Sequence, residues 1–129
     1  MRTGLYASLM SVRAIRGATQ VAENSPEAIA EGVKELLTEI LKSNALIPDE
    51  VISVLFTASP DLNAAFPAAF AREVGFESVP LICAVEIDVP GALERTIRIM
   101  AHVETSKSAK EISHIYLHGA KALRRDIAQ

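Results

Sequence analysis

The chain has 129 residues, half of them hydrophobic and 22% charged, with a formal net charge of -3. That length fits one domain with a substantial core, and that composition excludes intrinsic disorder. The mild acidity, without a Lys/Arg stripe among aromatics, leaves no footprint for nucleic acid, and no apolar run approaches the roughly 20 residues a bilayer span needs. The one Cys excludes an intrachain disulfide and fits a reducing, cytoplasmic setting. With no Trp, two Tyr and four Phe, the core must be aliphatic.

Residues 1–10 read as a loose extension ahead of a single domain over 11–129. Their apolar stretch is short and broken by Ser8, and no small-residue cleavage site follows, so a signal peptide is not expected. Residues 11–19 alternate weakly, end at Gly17 and read as a first strand. Ser25 and Pro26 announce a helix, and Ile29, Val33, Leu36, Leu37, Ile40 and Leu41 give it one apolar face, with Asn44 as its stop. V-I-S-V-L-F-T-A (51–58) is a near-continuous apolar run, expected to be a strand buried on both faces. A short helix follows over 67–74, ended by Gly75, and its Ala68, Ala69 and Ala71 imply close approach by something.

A third strand is expected over 79–89, broken by Pro90-Gly91. In 95–104 the alternation is cleanest: Ile97, Ile99, Ala101 and Val103 share one face, and Thr96, Arg98, Met100, His102 and Glu104 the other. A last strand is expected over 112–118. The pattern is α+β, a mixed sheet with helices covering one face. Five strands in so small a domain leave edges and a second sheet face, so oligomerisation is expected.

Three charges stand inside apolar, strand-like segments: Arg16, Glu86 and Arg98. Such charges are costly to desolvate and are rarely unpaired, so three of them point to a pocket for a small charged ligand. Glu86 on the even face of its strand needs a cationic or hydroxyl partner, and Arg98 on a neighbouring strand can be it. Arg16 shares a face with Val12 and Ala14, the structural alternative being a salt bridge to helix 26–43. Arg72, Arg124 and Arg125 are weaker candidates, as arginines of helix ends and tails are commonly solvated. His114 and His118 share Tyr116's face, yet no third ligand stands near them at metal-binding spacing. Cys83 reads as a small buried hydrophobe rather than a nucleophile, since nothing nearby lowers its pKa. Ser59 and Ser78 lack a nucleophile elbow, and there is no Gly-rich phosphate loop. An enzyme with this inventory works by orientation and electrostatics.

R-x-I-R-G-A-T, T-A-S-P-D-L-x-x-x-F-P-A-x-x-x-R, V-P-L-I-C-x-x-E-x-x-V, R-x-I-R-I-M and H-I-Y-L occur in that order from about Val12 to Asp126. Together they resemble the monofunctional chorismate mutases of the AroH class. The resemblance implies a homotrimeric pseudo-α/β barrel with active sites in the clefts between subunits. It also implies the [3,3] rearrangement of chorismate to prephenate, on the route to phenylalanine and tyrosine, with no cofactor, no metal and no covalent intermediate.

By the same resemblance, Arg16 binds a substrate carboxylate, aided by Tyr116. Arg98 reaches the breaking ether bond, and Glu86 accepts from the ring hydroxyl and faces the positive charge growing on the ring. Ile82 and Cys83 line one wall, Cys83 through its backbone. Phe66, Ala68 and Arg72 come from the adjacent subunit, and Leu123 and Arg124 order over the mouth. The chain departs from the pattern at Ala69, where a lysine can occur, at Ile82, where a threonine can, and at Arg124-Arg125-Asp126, where Arg-Pro-Asp is expected. Two other readings compete: a RidA-type imine deaminase of similar length, and a non-catalytic trimeric module that binds a small molecule. The R-G-A-T and F-P-A-x-x-x-R motifs speak against the first, and the opposed Arg98 and Glu86 against the second.

Overall fold

In the computed structural model, residues 10–124 are described; the first nine residues of the expected extension and the tail from Arg125 onward lie outside them. The chain runs β1 (Ser11–Gln20), α1 (Pro26–Ser43), β2 (Val51–Ala58), α2 (Pro67–Ala71), β3 (Leu81–Val85), β4 (Thr96–Thr105) and β5 (Ile115–Leu117), with short 3-10 turns between. The strands form one sheet in the order β3-β2-β4-β1-β5. β4 lies antiparallel to both β1 and β2, whereas β3 on β2 and β5 on β1 are parallel. This is the expected α+β mixed sheet, with both helices on one face.

α1 forms where its signals say it should. Ser25 Oγ accepts from Ala28 N at 3.1 Å, Pro26 occupies the first turn, and Ile29, Val33, Leu36, Leu37 and Ile40 are buried. Burying each such side chain is worth about 1.5–3 kcal/mol. They pack on Ile97, Ile99, Ala101 and Val103, the inward face of β4. Gly17 is what lets α1 come so close: a Cβ there would stand 2.8 Å from Ile40 Cδ1 and 3.2 Å from Leu36 Cδ1. Asn44 ends the helix and is fully buried. Its side chain donates to Ile40 O and Ser113 O and accepts from Ser113 N, tying the helix end to the approach of β5.

The structure corrects several expectations. β1 continues through Gly17 to Gln20, because β4 pairs with it along its whole length. β2 is buried on one face only: Val54 and Phe56 point inward, while Ile52 and Leu55 are 42% and 39% exposed. β3 covers 81–85 rather than 79–89, since its partner β2 ends at Ala58 and leaves nothing for residues 87–89 to pair with. β5 covers 115–117 rather than 112–118, because His118 takes a positive φ of 53° and opens a 3-10 turn. α2 is α-helical only to Ala71 and finishes as a 3-10 turn over Arg72–Val74, closed by Gly75 at φ 100°.

Candidate active site

The sheet face opposite the helices is built by register. Ala18 of β1 stands opposite both Arg98 of β4 and Tyr116 of β5, and Arg98 also stands opposite Thr57 of β2. One row across the sheet therefore reads Tyr116, Ala18, Arg98, Thr57, Ala84. The adjacent row reads Arg16, Met100, Leu55, Ile82. Small Ala18, with Gly17 beside it, leaves a hollow between the longer side chains. Arg16, Arg98 and Tyr116 line it together with Thr57, Leu55 and Met100, around a cavity of about 200 Å³.

Glu86 enters from the far side. β3 and β4 are not neighbours as the sequence implied; β2 lies between them. Glu86 N donates to Ala58 O, extending the β2/β3 ladder by one bond, and the carboxylate reaches back over β2. There Oε2 accepts from Thr57 Oγ1 and faces Arg98 Nε at 3.5 Å. The pair is half-open to solvent, with side chains 44% exposed for Arg98 and 29% for Glu86. Arg98 meets Glu86 through Nε, and no hydrogen bond from its terminal N–H groups is seen among the described residues. Glu86 Oε1 is likewise left to accept. On its other side the pair borders a cleft of about 670 Å³ under the loop that follows β3.

Arg16 cannot bridge to α1, because α1 packs on the opposite face of β1. Its backbone N donates to His114 Nδ1 at 3.0 Å. Burial, then the positive charges of Arg16 and Arg124, hold the His114 pKa below its ordinary 6.5. Tyr116 is buried against Ala18 and Ala120, with Leu123 packed beside them. Leu123 and Arg124 thus reach the same end of the site as Tyr116 and His114. His118 does not share the Tyr116 face as expected; its positive φ turns it toward α1, where Nε2 lies 2.9 Å from Glu35 Oε1. Among the described residues no group of acidic, His and Cys side chains could hold a metal.

Other expected site residues lie elsewhere in the chain. Phe66 is 75% exposed and shares a hollow of about 460 Å³ with Cys83, Ala84 and Val85 at the β3 edge. Cys83 also packs on the core, while Ile82 is 64% exposed on the open sheet face. Arg72 is exposed at the end of α2, whereas Ala68 packs into this chain's own core and is 7% exposed. Two residues that sequence reading missed are Thr57, which orients Glu86, and His114 as partner of the Arg16 backbone. A hydroxyl at an outward position of an otherwise apolar strand was the only trace of the first.

The family described as chorismate mutase type I has a model that matches residues 12–127. The chain is 44% identical to a chorismate mutase AroH from Thermus thermophilus over 117 residues, which are 90% of this chain and 96% of that protein. It is 41% identical to a chorismate mutase AroH from Bacillus subtilis over 120 residues, 92% of this chain and 94% of that one. A solved chorismate mutase from Clostridium thermocellum superposes with a TM-score of 0.84 at 50% identity, covering 85% of this chain and 98% of its own.

Proposed function

Because the chain belongs to the type I chorismate mutase family and isomerises chorismate to prephenate, we propose that Arg98 and Glu86 are its catalytic pair and that Arg16 and Tyr116 anchor the substrate. The observation that carries this assignment is the shared row of the open sheet face, where register sets Tyr116, Arg98 and Thr57 in line and the Thr57 hydroxyl holds Glu86 against Arg98. Chorismate is a dianion, and its rearrangement needs no proton transfer. What the site must do is hold a compact conformer and respond to charge that moves from the ring toward the ether oxygen. The Arg16 guanidinium meets a carboxylate in reactant and transition state alike. The Arg98 guanidinium gains most where the ether oxygen becomes more negative, which lowers the barrier rather than the ground state. Glu86 Oε1 accepts from the ring hydroxyl, and its charge faces the ring as that becomes positive.

One protomer leaves this site open. Ile82, Val85, Ile87 and Val89, along β3 and the loop after it, and Phe66, just ahead of α2, are each more than half exposed. An apolar strip on an unpaired edge strand is what a soluble monomer avoids. We place it against the open sheet face of a neighbouring copy, in a homotrimer. Phe66 and Cys83 share one hollow, so one protomer supplies both to a neighbour's Arg16, Arg98 and Tyr116, with Arg72 nearby. Leu123 and Arg124 close the mouth. The reaction serves phenylalanine and tyrosine formation in the cytoplasm and uses no cofactor.

The test is consumption of chorismate by purified protein in the presence of a chelator, followed by ultraviolet absorbance, alongside light scattering. We expect turnover and three times the chain mass. Turnover by a monomer would overturn the shared site, and a folded but inactive trimer would overturn the enzyme reading and leave the binding module.

A further inference from the structure

The β1/β5 ladder begins at Gly17 opposite Ile115, one residue after Arg16. At Arg16 the strand carbonyl that would continue it is replaced by a side chain: His114 Nδ1 takes the Arg16 N–H at 3.0 Å. To accept there, the imidazole must be neutral, with its proton on Nε2. We infer that His114 is a positioning residue for substrate binding, fixing the Arg16 backbone so that its guanidinium faces the cavity it shares with Arg98 and Tyr116.

The choice of a neutral acceptor has a reason in the local charges. Arg16 and Arg124 both impose positive charge on His114. A carboxylate at this place would also accept from the N–H, but it would pair with those cations and compete with an anionic ligand. A carbonyl from a longer β5 would hold the backbone equally well, yet Asn44 binds the Ser113 backbone through both its N–H and its C=O and so fixes where the chain enters β5. The imidazole fills the gap between that clasp and the ladder. Its effect reaches substrate only through Arg16, so it acts on binding shared by reactant and transition state. Such binding appears in KM rather than in kcat.

This inference rests on Arg16 being a substrate anchor, and the experiment separates the two. KM and kcat for chorismate are measured for Arg16→Ala, His114→Ala, His114→Asn and the double variant Arg16→Ala/His114→Ala. Asn keeps an acceptor where Nδ1 stands. We expect His114→Ala to raise KM roughly tenfold with kcat within about threefold, the scale of one lost hydrogen bond. His114→Asn should stay within about twofold of wild type, and the double variant should match Arg16→Ala, as coupled residues do. Additive effects in the double variant, or His114→Asn as impaired as His114→Ala, would overturn the positioning role while leaving Arg16 as anchor. An unchanged KM in Arg16→Ala would overturn both. Should His114→Ala not fold, His114→Gln, whose acceptor sits one methylene too far, takes its place with the same expected rise.

Discussion

Arg98→Ala separates a catalytic cation from a structural one. In the fold, the arginine does little: its contact with Glu86 is 3.5 Å, through Nε alone, between side chains 44% and 29% exposed. Open pairs of that kind are worth about 0.2–1 kcal/mol. For a domain of this size the melting temperature should then drop by no more than about 5 °C. On the proposed assignment, the same guanidinium meets the charge that grows on the ether oxygen, in a site that the proposed trimer closes with a second protomer. Removing a single preorganised donor from such a place costs roughly 2.7–4 kcal/mol of barrier, or about 100- to 1,000-fold in kcat. A full cation should lie at or above the upper end. The assay is initial loss of chorismate absorbance at saturating substrate, with the melting curve and assembly state measured on the same preparations. A folded Arg98→Ala variant whose kcat stays within tenfold of wild type would refute the electrostatic reasoning.

Thr57→Val keeps the shape of the side chain but removes the hydroxyl that orients Glu86. We expect kcat to fall roughly tenfold with stability little changed and Thr57→Ser to restore it, and a Val variant within twofold of wild type would remove Thr57 from the site. Cys83→Ser should retain near-normal turnover, because the thiol packs on the core; an inactive but folded variant would reinstate a nucleophile. The depressed His114 pKa makes a pH prediction, since the unfolded chain takes up a proton near pH 6.5 that the folded chain resists. That stability is fully present above about pH 6.5 and is lost as pH falls through the lower folded value. Thermal melts at pH 7.5 and pH 5 should therefore diverge more for wild type than for His114→Asn, and equal divergence would count against the assignment.

How much the sequence disclosed follows from where each element's partners lie. β4 was legible residue by residue, because its alternation reflects one buried and one open face in the same chain. α1 was legible from its cap and its stripe. β3 and β5 were overextended because strand propensity continues past the last residue with a partner, and partner length is a property of β2 and β1. The open side of β2 misled in another way: Ile52 and Leu55 promised a doubly buried strand, but a single chain supplies only one covering layer. Arg16, Glu86 and Arg98 stood out because charges in apolar strands are rare. Thr57 and His114 did not, since their roles exist only through register, which brings Thr57 under Glu86 and leaves the Arg16 N–H to His114. Ala68 shows the converse, a position carried by its motif whose methyl the fold buries.

The charge pattern adds a reason for the site to lie on this face. The whole chain is mildly acidic, at -3, so a dianion approaching at random is weakly repelled. Locally the sign reverses: Arg16 and Arg98 face one cavity, and the Arg124 charge is felt at its border through His114. The carboxylate against them, Glu86, is shared with a hydroxyl and set to one side, so it does not neutralise Arg16. A salt bridge from Arg16 to α1 would have done so, and the fold prevents it by packing α1 on the other face of β1. Each sheet face thus has one task. The face toward the helices supplies the stability that fixes strand register, and the open face uses that register to hold cations at spacings a flexible loop could not maintain.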